Sequence, residues 1–326
     1  MSLASAFSVT AVALALEAIF GYPAFLLRAV GHPVTWIGWL IHVTETRLNR
    51  PGSPARLQKL LGAVSLIFWL TCAGACGGLF SWLCGGSYAG ELILAALASS
   101  LLAQRSLYEH VRAVADALER DSLEAARGAV SQIVGRITDD LDKAGVARAA
   151  IESLAENFSD GVVAPAFWLA AGGLTGAMLY KTINTADSMI GHRTPRFINF
   201  GWASARLDDL VNLPAARLSA LLLVLAASFD GVASVREAWK AAWRDAPKHV
   251  SPNAGWPEAA IAGALGLKLG GPRVYGQDVI DGALMGDGRR AATCKDIRRA
   301  LTLFRRAAAL QILAYAALAL VFIGRG

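Results

Sequence analysis

The sequence predicts an all-α polytopic membrane protein, with about four full spanning helices, two partial or ambiguous membrane segments and a cytoplasmic amphipathic helical hairpin. Two observations lead to this fold class. Hydrophobic residues make up 55% of the 326-residue chain and charged residues only 17%, whereas a soluble domain is usually about 45 to 50% apolar. The apolar residues also gather in long runs, separated by polar stretches rich in Arg, Asp and Glu. That pattern is typical of helices that cross a lipid bilayer.

Four runs are predicted to cross the bilayer completely, namely residues 4–20, 60–83, 92–103 and 307–323. The second and fourth runs contain no charged side chain, and both are within the roughly 17 to 25 residues that a spanning helix needs. The first run lacks the basic residues that precede the apolar part of a signal peptide, so we expect a retained helix. Because the basic residues follow this run, the positive-inside rule places the N-terminus outside and the next loop in the cytoplasm.

Two further apolar segments are ambiguous. Residues 161–180 contain a proline and the Gly172-Gly173 pair, which weaken a helix, and residues 213–229 are interrupted by an arginine. If both segments crossed, the cation-rich stretch between them would lie outside, against the positive-inside rule. We therefore expect both to cross only partly, with residues 104–306 facing the cytoplasm or a cavity open to it.

Residues 104–150 differ from these runs, because apolar positions recur every three to five residues between charged ones. This periodicity predicts amphipathic helices, which we assign to a cytoplasmic hairpin within a single domain of residues 1–326. The net charge of +6 comes from cations that flank apolar segments or mix with acids, and the chain carries no nucleic-acid recognition motif. Nucleic acid is therefore not expected as a partner.

The first polar cluster begins at Glu152. Glu152, Glu156 and Asp160 are spaced i, i+4, i+8, so a continuous helix would place three carboxylates on one face, with Asn157 beside them. Acids arranged in this way repel one another unless a cation lies among them. The alternative is a solvated helix end, whose acids pair with Lys or Arg residues upstream.

The second polar cluster contains Lys181, Asn184, Asp187 and Arg193. It offers a cation, an amide and a carboxylate within a few helical turns, together with hydroxyl groups. Hard oxygen ligands of this kind suit Mg²⁺, which prefers one or two carboxylates with water and substrate phosphate. An ordinary capped helix start is the alternative.

The third polar cluster, Arg206, Asp208, Asp209 and Arg217, leads into an apolar run. Adjacent acids on a helix point about 100° apart, so one of them can hold a metal while the other pairs with an arginine. Charged side chains at membrane depth are costly and usually functional. Arg217 can also simply extend to the membrane interface along its aliphatic stem.

The fourth polar cluster runs from His249 to Glu258 and includes Ser251 and Asn253. It predicts a turn that leads into a stretch of small residues. His249 can act as a general base, or it can be a hydrogen-bonded structural histidine, and both interpretations stay open from the sequence.

Four strings within these clusters, in this order, resemble the CobD/CbiB family of cobalamin biosynthesis: ESLAENFSDGVVAPAFW, YKTINTADSMIGHR, ARLDDLVNLPAAR and HVSPNAGWPEAAIAGALG. The likeness covers nearly the whole chain. It implies ATP-dependent amide ligation, in which aminopropanol phosphate is joined to the propionate of adenosylcobyric acid to give adenosylcobinamide phosphate. It also implies Mg²⁺, ATP as cosubstrate, no prosthetic group, and an inner-membrane protein whose active site faces the cytoplasm. Whether the amine is phosphorylated aminopropanol, free aminopropanol or ethanolamine stays open.

The resemblance gives the polar residues three kinds of role. The predicted catalytic residues are Glu152, Glu156, Asn157, Asn184, Asp208 and His249. The residues expected to bind substrate or phosphate are Lys181, Arg193, Arg206, Arg217, Ser251 and Asn253. The expected metal ligands are Asp160, Asp187 and Asp209. The chain has no Walker A sequence, so a conventional P-loop is excluded as the nucleotide site.

Two other classes of protein fit parts of the sequence. Charged residues beside broken membrane segments also mark the solute pathway of a transporter, although no internal repeat is visible. The amphipathic hairpin would also suit a non-catalytic scaffold for corrinoid enzymes. The partners expected are the two substrates and the lipid bilayer, while an oligomer and contacts with other cobalamin-pathway enzymes stay open.

Overall fold

The computed structural model describes residues 2–275, 278–280 and 282–324. The chain forms two compact units, each built from separate stretches of sequence. The first unit comprises residues 1–103, 164–212 and 312–326, and the second comprises residues 104–163 and 213–311.

Helices account for most of both units. In chain order they are α1 Leu3–Phe20, α2 Ala24–Val30, α3 Pro33–Leu48, α4 Ala55–Cys84, α5 Tyr88–Ser99, α6 Gln104–Glu119, α7 Leu123–Ser131, α8 Lys143–Phe158, a π-helix Ser159–Val163, α9 Ala164–Ile190, α10 Trp202–Val211, α11 Leu213–Ala226, a 3₁₀ turn Ala227–Asp230, α12 Val232–Asp245, a 3₁₀ turn Ala246–Lys248, α13 Gly255–Leu265 and α14 Cys294–Ile323. Short antiparallel strands lie before α14: β1 Leu269–Gly270 pairs with β4 Leu284–Met285, and β2 Arg273–Tyr275 pairs with β3 Asp278–Ile280.

Six helical segments among the described residues are long and apolar enough to cross a membrane. They are Leu3–Phe20, Ala24–Leu48, Ala55–Cys84, Lys143–Ile190, Leu213–Asp230 and Cys294–Ile323. The chain is an all-α polytopic membrane protein, as the sequence predicts. The two segments expected to cross only partly both fall within these six.

Three of the four predicted full spans lie in α1, α4 and α14. The remaining one, residues 92–103, corresponds to α5, and the prediction that it crosses the bilayer completely is wrong. α5 has 12 residues and therefore extends about 18 Å, which is less than the roughly 30 Å of a bilayer core. The stretch after α1, expected to be a loop, instead contains α2 and α3. Its cations Arg28 and Arg47 are exposed in the last turns of these two helices.

The core of the first unit forms where α3, α4, α9 and α10 pack together. Ile41, Leu66, Trp69 and Phe200 are buried there. α4 passes so close to the chain before α10 that a Cβ on Gly62 would lie 1.9 Å from the carbonyl oxygen of Phe200. Only glycine therefore permits this helix position.

A buried carboxylate holds the loop that leads from α9 to α10. Arg196 donates hydrogen bonds to the two carboxylate oxygens of Glu45 at 3.0 and 2.8 Å, and Asn49 donates a third at 2.9 Å. Glu45 is only 3% exposed. Bidentate, charge-assisted bonds of this kind are stronger than neutral ones, so they fix the loop against α3.

α9 is broken rather than straight. Gly172 and Gly173 both have non-helical backbone angles, and Gly173 has a φ of 62°, which glycine adopts without steric cost. This confirms that the glycine pair interrupts the helix. The break separates the first turns of α9 from the part that carries Lys181, Asn184 and Asp187.

In the second unit, α6 shows the amphipathic pattern expected from the sequence. Leu107, Val111 and Val114 are buried along one side of the helix. On the polar side, Glu119 accepts a hydrogen bond from Arg298 of α14 at 2.8 Å. The alternation of apolar and charged positions thus separates a packed face from an ion-paired one.

α12 ends at a buried acid, Asp245, which is 2% exposed. Its carboxylate accepts hydrogen bonds from Arg244 at 2.9 Å, from Lys248 at 2.8 Å and from the backbone N–H of Gly286 at 2.9 Å. Burial acts to raise the pKa of the Asp245 carboxyl, but these hydrogen bonds outweigh it and hold that pKa well below its usual range. The acid thereby joins α12 to the chain that follows β4.

Candidate functional site

The first unit gathers polar side chains where the second half of α9 packs against α10. We call Asn184, Asp187, Ser204, Asp208 and Asn212 the α9–α10 cluster. Asp187 and the Asn184 and Asn212 amides all act directly on the Asp208 carboxyl. Ser204 lies one helical turn before Asp208 on α10, so the two side chains occupy the same face.

A chain of hydrogen bonds orients Asp208 within this cluster. The buried Tyr180 hydroxyl donates to Asn212 Oδ1 at 2.9 Å, and Asn212 Nδ2 then donates to Asp208 Oδ2 at 2.9 Å. Because the amide oxygen of Asn212 is occupied by the tyrosine, its NH₂ group must face the acid. Tyr180 therefore fixes the Asp208 side chain through Asn212.

Asp208 is an unusually placed acid, with only 9% of its surface exposed. Burial, reinforced by the nearby charge of Asp187, raises the pKa of the Asp208 carboxyl to about 7. Hydrogen bonding from Asn212 and Asn184 opposes this shift but does not cancel it. The ionised form of Asp208 is therefore destabilised, because it is buried beside the carboxylate of Asp187.

Two buried oxygen atoms of the cluster, Asp208 Oδ1 and Ser204 Oγ, have no hydrogen-bond partner among the described residues. Ser204 is fully buried. Buried polar atoms are nearly always paired, and an unpaired one costs about 1–3 kcal/mol. Both atoms are hard oxygen donors on one face of α10, and they suit a ligand that contacts both.

Asp209, although adjacent in sequence, has different surroundings. Its side chain is 36% exposed and lies 3.6 Å from Nη1 of Arg206, whose side chain is 62% exposed. Burial raises the pKa of the Asp209 carboxyl, against the opposing charges of Arg206 and Arg193. Of the two adjacent acids, one therefore faces amides and a carboxylate, and the other faces cations.

In the second unit, Glu152 joins three parts of the chain. Arg136 Nη2 donates to Glu152 Oε2 at 2.9 Å, and the backbone N–H of Gly270 donates to Glu152 Oε1 at 2.8 Å. The Arg136 and Glu152 side chains are 11% and 6% exposed. Both carboxylate oxygens are thus engaged, which gives Glu152 a positioning role for Arg136 and for the end of β1.

A small pocket of about 80 Å³ opens beside this ion pair. Glu156 and Ser153 line it together with Arg136 and Glu152. Ser153 donates to the carbonyl oxygen of Ile133 at 2.6 Å, and the Asn157 amide donates to the carbonyl oxygen of Ser153 at 2.9 Å. Glu156 is exposed at the pocket, whereas Glu152 is buried behind it.

The expected row of three aligned acids is wrong. α8 ends at Phe158, and residues Ser159–Val163 form a π-helix. A π-helix bonds each residue to the fifth along rather than the fourth, so Asp160 does not continue the i, i+4 alignment of Glu152 and Glu156. π-Helical turns arise from local insertion into a helix, often at functional sites, and no pattern in the residues predicts this one.

Arg217, predicted to bind phosphate, is held by groups of its own unit. Its Nη1 donates to the carbonyl oxygen of Leu213 and to Asn253 Oδ1, both at 3.1 Å. Its guanidinium also lies over the ring of Trp256, 4.8 Å from the centroid, a favourable cation–π distance. Asn253 is thus a partner of this arginine.

His249 is held by a hydrogen bond at one ring nitrogen and lies near a buried acid at the other. Nδ1 accepts the backbone N–H of Ser251 at 3.0 Å, and Nε2 lies 3.7 Å from Glu258, which is fully buried. The Ser251 hydroxyl in turn accepts the N–H groups of Asn253 and Ala254. These contacts favour the structural interpretation of His249 over a general base, and they explain the turn before α13.

The predicted site residues therefore fall into two sets. The first unit contains Lys181, Asn184, Asp187, Arg193, Arg206, Asp208 and Asp209, and the second contains Glu152, Glu156, Asn157, Asp160, Arg217, His249, Ser251 and Asn253. Within the described part of the chain, no three His, Cys, Asp or Glu side chains are grouped to hold a metal ion. Ser204 and Arg136 are not among the site residues predicted from the sequence. Ser204 has a signal in its four-residue spacing from Asp208, whereas the pairing of Arg136 with Glu152 follows no helical spacing.

Comparisons with known proteins agree with this picture. The family described as CobD/Cbib protein matches residues 10–304. A protein of Rhizobium meliloti (strain 1021) named Cobalamin biosynthesis protein CobD is 48% identical over 312 residues, covering 95% of each chain. Proteins of the same name from Brucella suis biovar 1 and Rhodobacter capsulatus are 47% and 48% identical, each covering 91% of this chain and 91% or 92% of their own.

No solved structure matches the chain. The family match spans most of the sequence, and the relatives are similar over nearly their full length. The chain belongs to the CobD/CbiB family, and its role lies in cobalamin biosynthesis.

Proposed function

We propose that this protein is an acid–amine ligase of the adenosylcobinamide-phosphate synthase type. It uses ATP to join aminopropanol phosphate to the propionate of adenosylcobyric acid, and it releases adenosylcobinamide phosphate. The observation that carries the proposal is family membership over nearly the whole chain. The concentration of acids and amides on α9 and α10, with Lys181 on α9 and Arg206 on α10, supports it.

The reaction requires two chemical steps. A carboxylate is a poor acyl acceptor, so transfer of the terminal phosphoryl group of ATP first forms an acyl phosphate and releases ADP. The amine nitrogen then attacks the acyl carbon, phosphate leaves with the electron pair of the C–O bond, and the nitrogen loses a proton. Cations must bind the phosphates, Mg²⁺ supplies charge neutralisation when bound, and a base must accept the proton.

Arg206 and Arg193 are the arginines proposed to bind phosphate. The contact of Arg206 with Asp209 is exposed and 3.6 Å long, and exposed pairs contribute only about 0–1 kcal/mol, so a ligand phosphate can replace it. Arg217 has three protein contacts and is better suited to hold the turn that carries Asn253. Lys181 adds a further cation one turn before Asn184.

Glu156 is the carboxylate of the second unit that we propose as the base. It is exposed at the small pocket, while Glu152 behind it is committed to Arg136 and Gly270. A base must reach the proton that it abstracts, and an exposed side chain at a pocket can do so. Substitution of Glu156 by Gln should then lower kcat with little effect on the free energy of unfolding.

We place the protein in the inner membrane with its active site facing the cytoplasm, because ATP is supplied there. Single cysteines at Ser188 and Val250 test this, since both positions are exposed. Both should react with a membrane-impermeant maleimide only after the cytoplasmic side is opened. Reaction of either one in intact cells from the periplasmic side would reject the proposed orientation.

The decisive assay uses purified protein with ATP, Mg²⁺, adenosylcobyric acid and one amine at a time. Mass spectrometry should detect the amide product together with an equal amount of ADP. Comparing aminopropanol phosphate, aminopropanol and ethanolamine identifies the amine that gives the highest kcat/KM. A folded protein that forms no amide with any of them would favour a transporter or a scaffold for corrinoid enzymes.

A further inference from the structure

We propose that the α9–α10 cluster is a divalent-cation site, in which Asp208 rather than Asp209 is the carboxylate that joins Asp187. The inference deepens the proposed function, because a nucleotide-dependent ligase uses such a cation. Its test, however, measures binding to the protein without nucleotide, corrinoid or amine.

The first support is the state of the oxygen atoms on α10. Asp208 Oδ1 and Ser204 Oγ are buried and have no hydrogen-bond partner in the part of the chain that the structure describes. They lie one helical turn apart on the same face. A cation that both oxygens contact would offset the cost of burying them, which is otherwise about 1–3 kcal/mol for each atom.

The second support is the charge balance around Asp208. The groups that act on it most strongly are one carboxylate, Asp187, and two amides, Asn212 and Asn184. Carboxylates held together in this way destabilise each other unless a positive charge lies between them. A divalent cation supplies that charge without any change in the fold.

The third support is the chemical type of the donors. Asp187, Asp208, Asn184 and Ser204 offer carboxylate, amide and hydroxyl oxygens. Mg²⁺ and Mn²⁺ prefer such oxygen ligands, and Mg²⁺ is commonly held by one or two protein carboxylates with water and substrate phosphate. A site of two carboxylates is therefore sufficient for this class of ion.

Asp209 does not fit this role. Its carboxylate lies beside Arg206 and is also subject to the charge of Arg193. Two guanidinium groups would repel a divalent cation at that position. Adjacent residues on a helix point in different directions, so Asp208 can face the cluster while Asp209 faces the arginines.

The test is a titration of the purified full-length protein with Mn²⁺, in which free Mn²⁺ is measured by electron paramagnetic resonance. We expect saturable binding of one ion per chain that Mg²⁺ displaces. Asp208→Asn should raise the Kd for Mn²⁺ at least tenfold, which corresponds to about 1.4 kcal/mol. Ser204→Ala should raise it by a smaller factor, and the matched control Asp209→Asn should leave it unchanged.

Two results would overturn the inference. If Asp209→Asn removes Mn²⁺ binding while Asp208→Asn keeps it, the ligand is the other acid. If the folded parent protein shows no saturable Mn²⁺ binding, the α9–α10 cluster is not a cation site. Should Asp208→Asn not fold, Asn184→Ala and Ser204→Ala decide the question, and unchanged binding in both rejects the site.

Amide formation is measured separately, so the two proposals fail in different ways. If the parent protein makes amide but does not bind Mn²⁺ without nucleotide, the ligase proposal stands and the cation site is rejected. If the parent protein binds Mn²⁺ through Asp208 but makes no amide, the cation site stands and the ligase proposal is rejected.

Discussion

The buried ion pair of Arg136 and Glu152 predicts a large loss of stability from one conservative substitution. Glu152→Gln preserves the shape of the side chain and leaves an oxygen that can accept the Gly270 N–H. It removes the negative charge that neutralises Arg136, whose side chain is only 11% exposed. Removing one partner of a buried pair costs about 3–5 kcal/mol, and the retained hydrogen bond places this change near the lower value.

The assay is the free energy of unfolding, from reversible denaturation with sodium dodecyl sulfate in mixed micelles followed by tryptophan fluorescence. The matched control is Glu237→Gln, which breaks an exposed pair with Lys240 whose side chains are 56% and 51% exposed. That loss should stay below about 1 kcal/mol. Adding Arg136→Met to Glu152→Gln should recover part of the stability, because it removes the uncompensated charge.

A loss for Glu152→Gln no larger than that for Glu237→Gln would show that water reaches Arg136, and the positioning role of Glu152 would be wrong. The single variant Arg136→Met completes the comparison. If the double variant loses as much free energy of unfolding as Glu152→Gln and Arg136→Met together, the two side chains are not coupled.

Three other expectations concern different parts of the chain. Gly62→Ala should destabilise the protein by several kcal/mol, because its Cβ would meet backbone at 1.9 Å. Gly78 in the same helix has open space around it, so Gly78→Ala should raise the free energy of unfolding by up to about 1 kcal/mol. Both changes are measured from unfolding curves. Asp245 has a folded-state pKa below that of the unfolded chain, so its contribution to the free energy of unfolding is complete above about pH 4. That contribution is lost as the pH falls further. Asp245→Asn should remove this pH dependence and lower the free energy of unfolding at pH 7. Arg206→Lys should raise the KM for ATP or aminopropanol phosphate about tenfold, since Lys cannot bind phosphate with a planar fork, while unchanged kinetics would return this arginine to a structural role.

The sequence predicts the membrane fold well where one physical rule acts alone. Long uncharged runs mark α1, α4 and α14, and the spacing of Leu107, Val111 and Val114 marks the buried face of α6. The rule fails for α2 and α3, because Arg28 and Arg47 were counted as loop charges although each lies at a helix end. Charge counting cannot separate a loop from two short helices that carry their charges in the last turn.

The site is only partly readable from sequence for a related reason. The different directions of Asp208 and Asp209 follow from helix geometry, but which acid is buried depends on how α10 packs against α9. The pairing of Glu152 with Arg136 joins residues from different local structures, so no periodicity reveals it. The π-helix after Phe158 likewise follows from no periodicity in the sequence, and it removes Asp160 from the expected row.

The interruption of α9 at Gly172 and Gly173 also has a mechanical consequence. An unbroken helix behaves as a rod, so a tilt imposed at one end moves the other end as well. Bilayers differ in thickness, and spanning helices adjust by tilting. At the glycine pair the backbone leaves the helical conformation, so a tilt of the first part of α9 is not passed rigidly to residues 174–190. The polar end of α9 can thereby keep its orientation when the thickness of the surrounding membrane changes.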